Sequence, residues 1–123
     1  MSNEDEPCPF CEIVAGRAPA TIVGEWPVAL AILPLNPVVE HHTLIIPKVH
    51  VSSALGAGTG LLGAVVECAG ELALSMMQSC NLITSSGAAA TQTVRHLHVH
   101  YVPRKYGDGL PLPWTPQQTG HHG

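Results

Sequence analysis

The stretch RHLHVHYVPR, residues 95–104, sets three histidines at alternate positions, His96, His98 and His100, with apolar Leu97, Val99 and Tyr101 between them. In an extended chain, residues i, i+2 and i+4 share one face, successive ones roughly 6.5–7 Å apart. The period predicts a strand with imidazoles on one side and core on the other. A single exposed histidine needs no explanation, because histidine is intermediate in burial. Three in alternation ask for chemistry. Imidazole offers metal ligation, nucleophilic attack and proton transfer near neutral pH.

Working outward, TIVGEW (21–26) and VALAIL (28–33) read as a hairpin around Pro27, and HTLIIP (42–47) as a third strand ended by proline. NLITSS (81–86) is a fourth strand, and the run 94–102 containing the histidines is the fifth. Phe10, Ile13 and Val14 recur at helical spacing before Gly16, which predicts a short helix. GAGTG (56–60) reads as a loop whose Thr59 caps a long helix over 61–77. On that helix Leu61, Leu62, Val65, Val66, Ala69, Leu72, Ala73, Met76 and Met77 form the apolar face, opposite Glu67, Glu71, Ser75 and Gln78. The glycine loop continues into Leu61, not the Lys-Ser/Thr of a phosphate-binding loop. The expected fold class is α+β, an antiparallel five-stranded sheet with one long and one short helix on one face. Met76, Met77, Cys68 and Cys80 read as core fillers.

A chain of 123 residues suits one domain. Three parts are expected: a flexible N-terminus at 1–7, a folded domain at 8–104, and an irregular tail at 105–123 rich in Pro and Gly. The chain is 46% hydrophobic and 11% charged, with few aromatics, so its core is aliphatic and the surplus suits a subunit interface. A net charge of −4 argues against nucleic acid and membrane surfaces as partners. Arg95, Arg104 and Lys105 beside the histidine run, with Lys48, offer local positive charge to a small anion. No run is expected to span a bilayer, and the acidic start suggests a cytoplasmic protein.

In that compartment Cys8 and Cys11 of CPFC are thiols or metal ligands before they are a disulfide. Two thiolates separated by two residues can hold zinc if two further ligands arrive. The competing reading is redox chemistry, which favours a βαβ context this pattern lacks.

Taken together, CPFCEIVAGRAPAT, LNP, HHTLIIPKVHV and QTVRHLHVHYVPR closely resemble the histidine-triad family of nucleotidyl hydrolases and transferases, over about residues 8–104. The resemblance implies that His98 attacks the α-phosphorus of a nucleotide, that His100 contacts the phosphate and helps the leaving group, and that His42 supports them. It further implies that Gln92 and Thr93 hold phosphate oxygens and that Leu35 and Asn36 lie at the nucleotide. Cys8, Cys11, His50 and His96 would bind one structural zinc, four protein ligands leaving no place for reactive water. The implied protein is a homodimer formed partly by the 61–77 helix; Trp114, in a tail unable to form its own core, is a candidate to reach the partner's site. It would hydrolyse a nucleoside phosphoramidate or related nucleotide; the alternatives are dinucleoside polyphosphate hydrolysis, or a zinc-stabilised nucleotide-binding scaffold with vestigial activity. His41, His121 and His122 match nothing and are expected at the surface.

Three positions depart from the family pattern. Pro34 stands where an acid usually holds the ribose hydroxyls, Ser85 where Asn is common, and Thr91 where Gly normally precedes Gln92.

Overall fold

The computed structural model describes residues 7–115. Its elements are α1 (Pro9–Val14), β1 (Ile22–Glu25), β2 (Ala29–Ile32), β3 (Thr43–Pro47), α2 (Ala54–Met76), β4 (Cys80–Ile83), a 3₁₀ turn (Ala88–Ala90) and β5 (Val99–Pro103). The strands form one antiparallel sheet in the order β1-β2-β3-β5-β4. The chain leaves β3 through α2, builds the edge strand β4, and returns to lay β5 between the two. The histidine strand is therefore interior to the sheet and held on both sides.

Both faces of the sheet are covered. Ala29, Ala31, Ile45, Leu97, Val99 and Tyr101 pack with Val65, Cys68 and Ala69 of α2. Leu30, Ile32, Leu44 and Ile46 turn the other way and pack on Phe10 of α1. The two helices thus lie on opposite faces, not on one as expected. The reason is that β2 is apolar at every position and β3 at all but Thr43, and both are fully buried, so a second cover is required. Phe10, the buried residue of α1, supplies it.

The histidine strand starts late. Ladder pairing begins at Ile45–Val99, so only His100 of the three histidines lies in β5. Continued upstream, the register would set Leu97 opposite Pro47, which has no N–H to give. Leu97 N–H instead reaches Val51 O at 2.7 Å. The chain stays extended enough for Leu97, Val99 and Tyr101 to share the α2 face.

The long helix starts early. Ser53, with its hydroxyl on Leu55 N–H, is the cap in place of Thr59, and GAGTG lies inside the helical run. Gly58, at φ 77°, breaks it into two helical pieces, a conformation glycine adopts freely. By length and composition α2 could cross a bilayer, contrary to expectation. Val65, Cys68 and Ala69 instead dock it on the sheet. Met77 is no core filler: it ends the helix in the left-handed region, φ 49°, and is 84% exposed. Cys68 is buried and Cys80 half-buried.

Two of the basic residues near the histidine run are already engaged. Lys48 pairs with Glu25 at 2.8 Å, and Arg104 forks onto Asp108 while also reaching Asn81 and Leu110 O. That fork orders the first part of the irregular tail. Trp114 is half exposed, and His41 is at the surface with φ 70°. Residues 1–6 and 116–123, including His121 and His122, lie outside the described residues.

Candidate functional site

On the α1 face, four side chains converge from three segments. Cys8 caps α1, Cys11 lies in its first turn, His50 follows β3, and His96 precedes β5. Cys8 Sγ lies 3.3 Å from His96 Nδ1, Cys11 Sγ lies 3.3 Å from His50 Nδ1 and 3.6 Å from His96 Nδ1, and the two Nδ1 atoms are 3.2 Å apart. All four ligand atoms fall within 4.8 Å of one another. Zinc–ligand bonds of about 2.0–2.3 Å place the corners of a tetrahedron roughly 3.3–3.8 Å apart, so the group has the size a tetrahedral ion needs. His96 is fully buried and its Nε2–H donates to Pro47 O at 2.9 Å. That bond fixes the tautomer and turns the Nδ1 lone pair to the cluster, as second-shell partners of metal-bound histidines do. Burial lowers the His96 pKa, keeping the ring neutral and able to ligate.

Two residues on, the same logic gives the opposite nitrogen. His98 Nδ1–H donates to His96 O at 2.8 Å, so the lone pair lies on Nε2. At His100 the assignment comes through a neighbour. Val38 N–H can only donate, so His42 Nδ1 accepts it at 3.1 Å. Neutral His42 then carries its proton on Nε2 and donates to His100 Nδ1 at 3.0 Å. His100 is left with Nε2–H. A nucleophile and a donor thus stand next to each other, ring centroids 5.1 Å apart. Burial lowers the His42 pKa. Burial, then the neighbouring His98 and His42, pushes His100 down to about 4.

Phe10 ties the two groups together. Its ring meets His96 and His98 edge-on at centroid distances of 5.7 and 5.2 Å. Sequence reading treats Phe10 only as a helix-face residue; its place between two cysteines is the signal that was there to be used. Val38, Pro47 and Thr84, whose hydroxyl donates to His98 O at 2.8 Å, act through backbone contacts that no residue pattern reveals.

The expected phosphate pair is divided. Gln92 accepts from Gly87 N–H at 2.8 Å and donates to Ser52 O at 2.6 Å and Val94 O at 2.9 Å, while its own N–H reaches Gly87 O. Its side chain therefore braces the loop before the histidines, and no N–H is left over for phosphate. Thr93 is exposed. Leu35 is 96% exposed, Asn36 is exposed and Pro34 half-buried. Thr91 occupies the left-handed region at φ 68°, strained for a β-branched residue.

A family model described as the HIT domain matches residues 15–107. The chain is similar to adenylylsulfatase HINT3 of Arabidopsis thaliana, 34% identical over 94% of this chain, although it spans only 59% of the plant protein's length. It is similar also to adenosine 5′-monophosphoramidase HNT1 of Saccharomyces cerevisiae, 32% identical over 94% of this chain and 74% of the yeast protein. Among solved structures, a zinc-bound histidine triad family protein from Mycobacterium smegmatis superposes with a TM-score of 0.81 at 34% identity, over 85% of this chain and 80% of that one.

Proposed function

The chain belongs to the HIT domain family, and from that premise we propose that it hydrolyses nucleotidyl substrates, nucleoside phosphoramidates foremost, through a covalent intermediate on His98. The observation that carries the reading is the division of ring nitrogens: a bare Nε2 on His98 beside a protonated Nε2 on His100. In the first step His98 Nε2 bonds to the α-phosphorus and the bond to the leaving nitrogen breaks, its electron pair going with the nitrogen. The His98 ring becomes cationic, and its Nδ1–H bond to His96 O strengthens as that charge develops. His100 passes its Nε2 proton to the departing nitrogen, which leaves as the neutral amine. Water then attacks phosphorus, gives a proton back to His100, and releases the nucleoside monophosphate with His98 restored.

Cys8, Cys11, His50 and His96 would hold one zinc, which supplies structural cross-linking of α1 to the approach of the histidine strand. We assign the exposed apolar side of α2 to a homodimer: Leu55 is 86% and Leu74 72% exposed. Light scattering at micromolar concentration gives a dimer; a monomer removes that assignment. The function itself is tested with a fluorogenic adenosine phosphoramidate and rapid-quench mass spectrometry. Turnover with a nucleotidyl adduct on the peptide carrying His98 is the expected result. Turnover without an adduct would remove the covalent step, and no turnover across bases and leaving groups would remove the hydrolase.

A further inference from the structure

We infer that the groove beside the metal group, with Arg95 as its cation, is a subsite for an anionic leaving group. The inference rests on the hydrolase reading and adds to it the class of substrate.

The groove is about 760 Å³, and Cys8, Cys11, His50, Ser52, Thr93 and Arg95 are among its lining residues. A cavity of that size suits a small-molecule ligand. None of its described lining residues is an Asp or Glu. A divalent ion held by two thiolates and two neutral imidazoles has no net charge, so Arg95 alone sets the sign. The ion pairs among the described residues join Arg17 to Glu12, Lys48 to Glu25 and Arg104 to Asp108, and Arg95 is in none of them. A protein of net charge −4 thus presents an uncommitted guanidinium in a concave, polar setting. Such a fork matches carboxylate, sulfate and phosphate oxygens.

The groove is also built. Gln92 donates to Ser52 O and Val94 O together, fastening two of its lining segments to each other, and Leu97 N–H holds Val51 O. A site whose walls are fixed before binding loses less entropy on binding. It adjoins the metal-ligand end of the histidine run: Arg95 directly precedes His96, and Phe10, between the two groove cysteines, meets His98 edge-on. A substrate with its phosphorus at His98 can extend its leaving part past Phe10 to Arg95. A neutral amine gains nothing there; a leaving group bearing a carboxylate, sulfate or phosphate gains a charge-assisted contact.

Two measurements on the metal-loaded protein test this. Inorganic sulfate is titrated against chloride at equal ionic strength while amide NMR signals are followed. Saturable shifts at Ser52, Thr93 and Arg95, lost in Arg95→Gln, are expected; no shift, or the same shift in the variant, overturns the subsite whether or not the protein is a hydrolase. The second measurement is the ratio of kcat/KM for adenosine phosphoramidates whose leaving amine carries a free carboxylate or its methyl ester. The expected ratio is about tenfold or more in favour of the carboxylate, falling to near one in Arg95→Gln. A ratio that survives the substitution, or that begins at one, overturns the proposal. Turnover that persists in His98→Ala instead removes His98 as the nucleophile, and no turnover in the parent removes the hydrolase reading.

Discussion

His96 and His98 are two residues apart, share a face and touch the same phenylalanine ring, yet they present opposite nitrogens. The carbonyl each ring meets decides the difference. Pro47 O takes the Nε2 proton of His96 and leaves Nδ1 for a metal; His96 O takes the Nδ1 proton of His98 and leaves Nε2 for phosphorus. A repeat that looks uniform in the sequence is thus divided into a structural end and a chemical end by backbone acceptors. The division predicts that damage at one end leaves the other largely standing.

The hardest test is His98→Ala. Turnover of the fluorogenic phosphoramidate should fall roughly 10⁴-fold or more, while elemental analysis still finds one zinc per chain. Loss of the metal in that variant would break the division. The reciprocal test is Cys8→Ala combined with Cys11→Ala. Metal content should vanish and the melting temperature should fall by on the order of 10 °C, while kcat at a temperature where the variant stays folded falls far less than in His98→Ala. Metal that persists unchanged would remove the ligand assignment.

A third test separates the ends by pH. His100 falls from 6.5 to about 4 in the folded chain, chiefly through burial. Below 6.5 the unfolded chain takes a proton that the folded chain refuses, so this contribution to stability is complete above about 6.5 and is lost as pH drops toward 4. Urea unfolding at pH 7 and pH 5 should show that loss, and His100→Gln should shrink it. An equal loss in parent and variant would show that groups other than His100, such as the buried His42 and His96, control it.

Smaller effects come from two departures. With Pro34 in place of a carboxylate, 2′-deoxy substrates should lose about tenfold or less in kcat/KM, roughly 1.4 kcal/mol, and Pro34→Asp should widen the gap. A deoxy penalty near a hundredfold in the parent would assign the ribose hydroxyls to another group, Asn36 first. Thr91→Gly should stabilise the chain by about 1 kcal/mol, since threonine at φ 68° is strained and glycine is not. Chemical denaturation reads this directly; a destabilised variant would mean that the threonine side chain contributes more than its strain costs.

Much of this architecture is legible in the residues. Alternation at 96–101 separates imidazoles from core, and Phe10, Ile13, Val14 and Gly16 mark a six-residue helix. The converging ligand set follows from the family resemblance, and the geometry brings all four side chains together. What the sequence hides is set by contacts between distant segments. The strand starts at Val99 because the residues it would pair with end at a proline. The second helix sits on the far face because β2 and β3 have two apolar sides, which an alternation rule reads as one. Arg104 looks like a free cation until Asp108 is seen folded back onto it.

Gln92 has a consequence for how this chain can change over generations. One amide oxygen accepts from Gly87 and one amide nitrogen donates to Ser52 and Val94. Glutamate has the same shape but would turn both donations into contacts between acceptors, and leucine would strand three backbone groups at once. Neither replacement serves both kinds of partner. Position 92 therefore does not drift freely: a viable path must rebuild the 87–94 loop and the Ser52 segment in step, so inheritance should couple two stretches of chain that lie far apart in the gene.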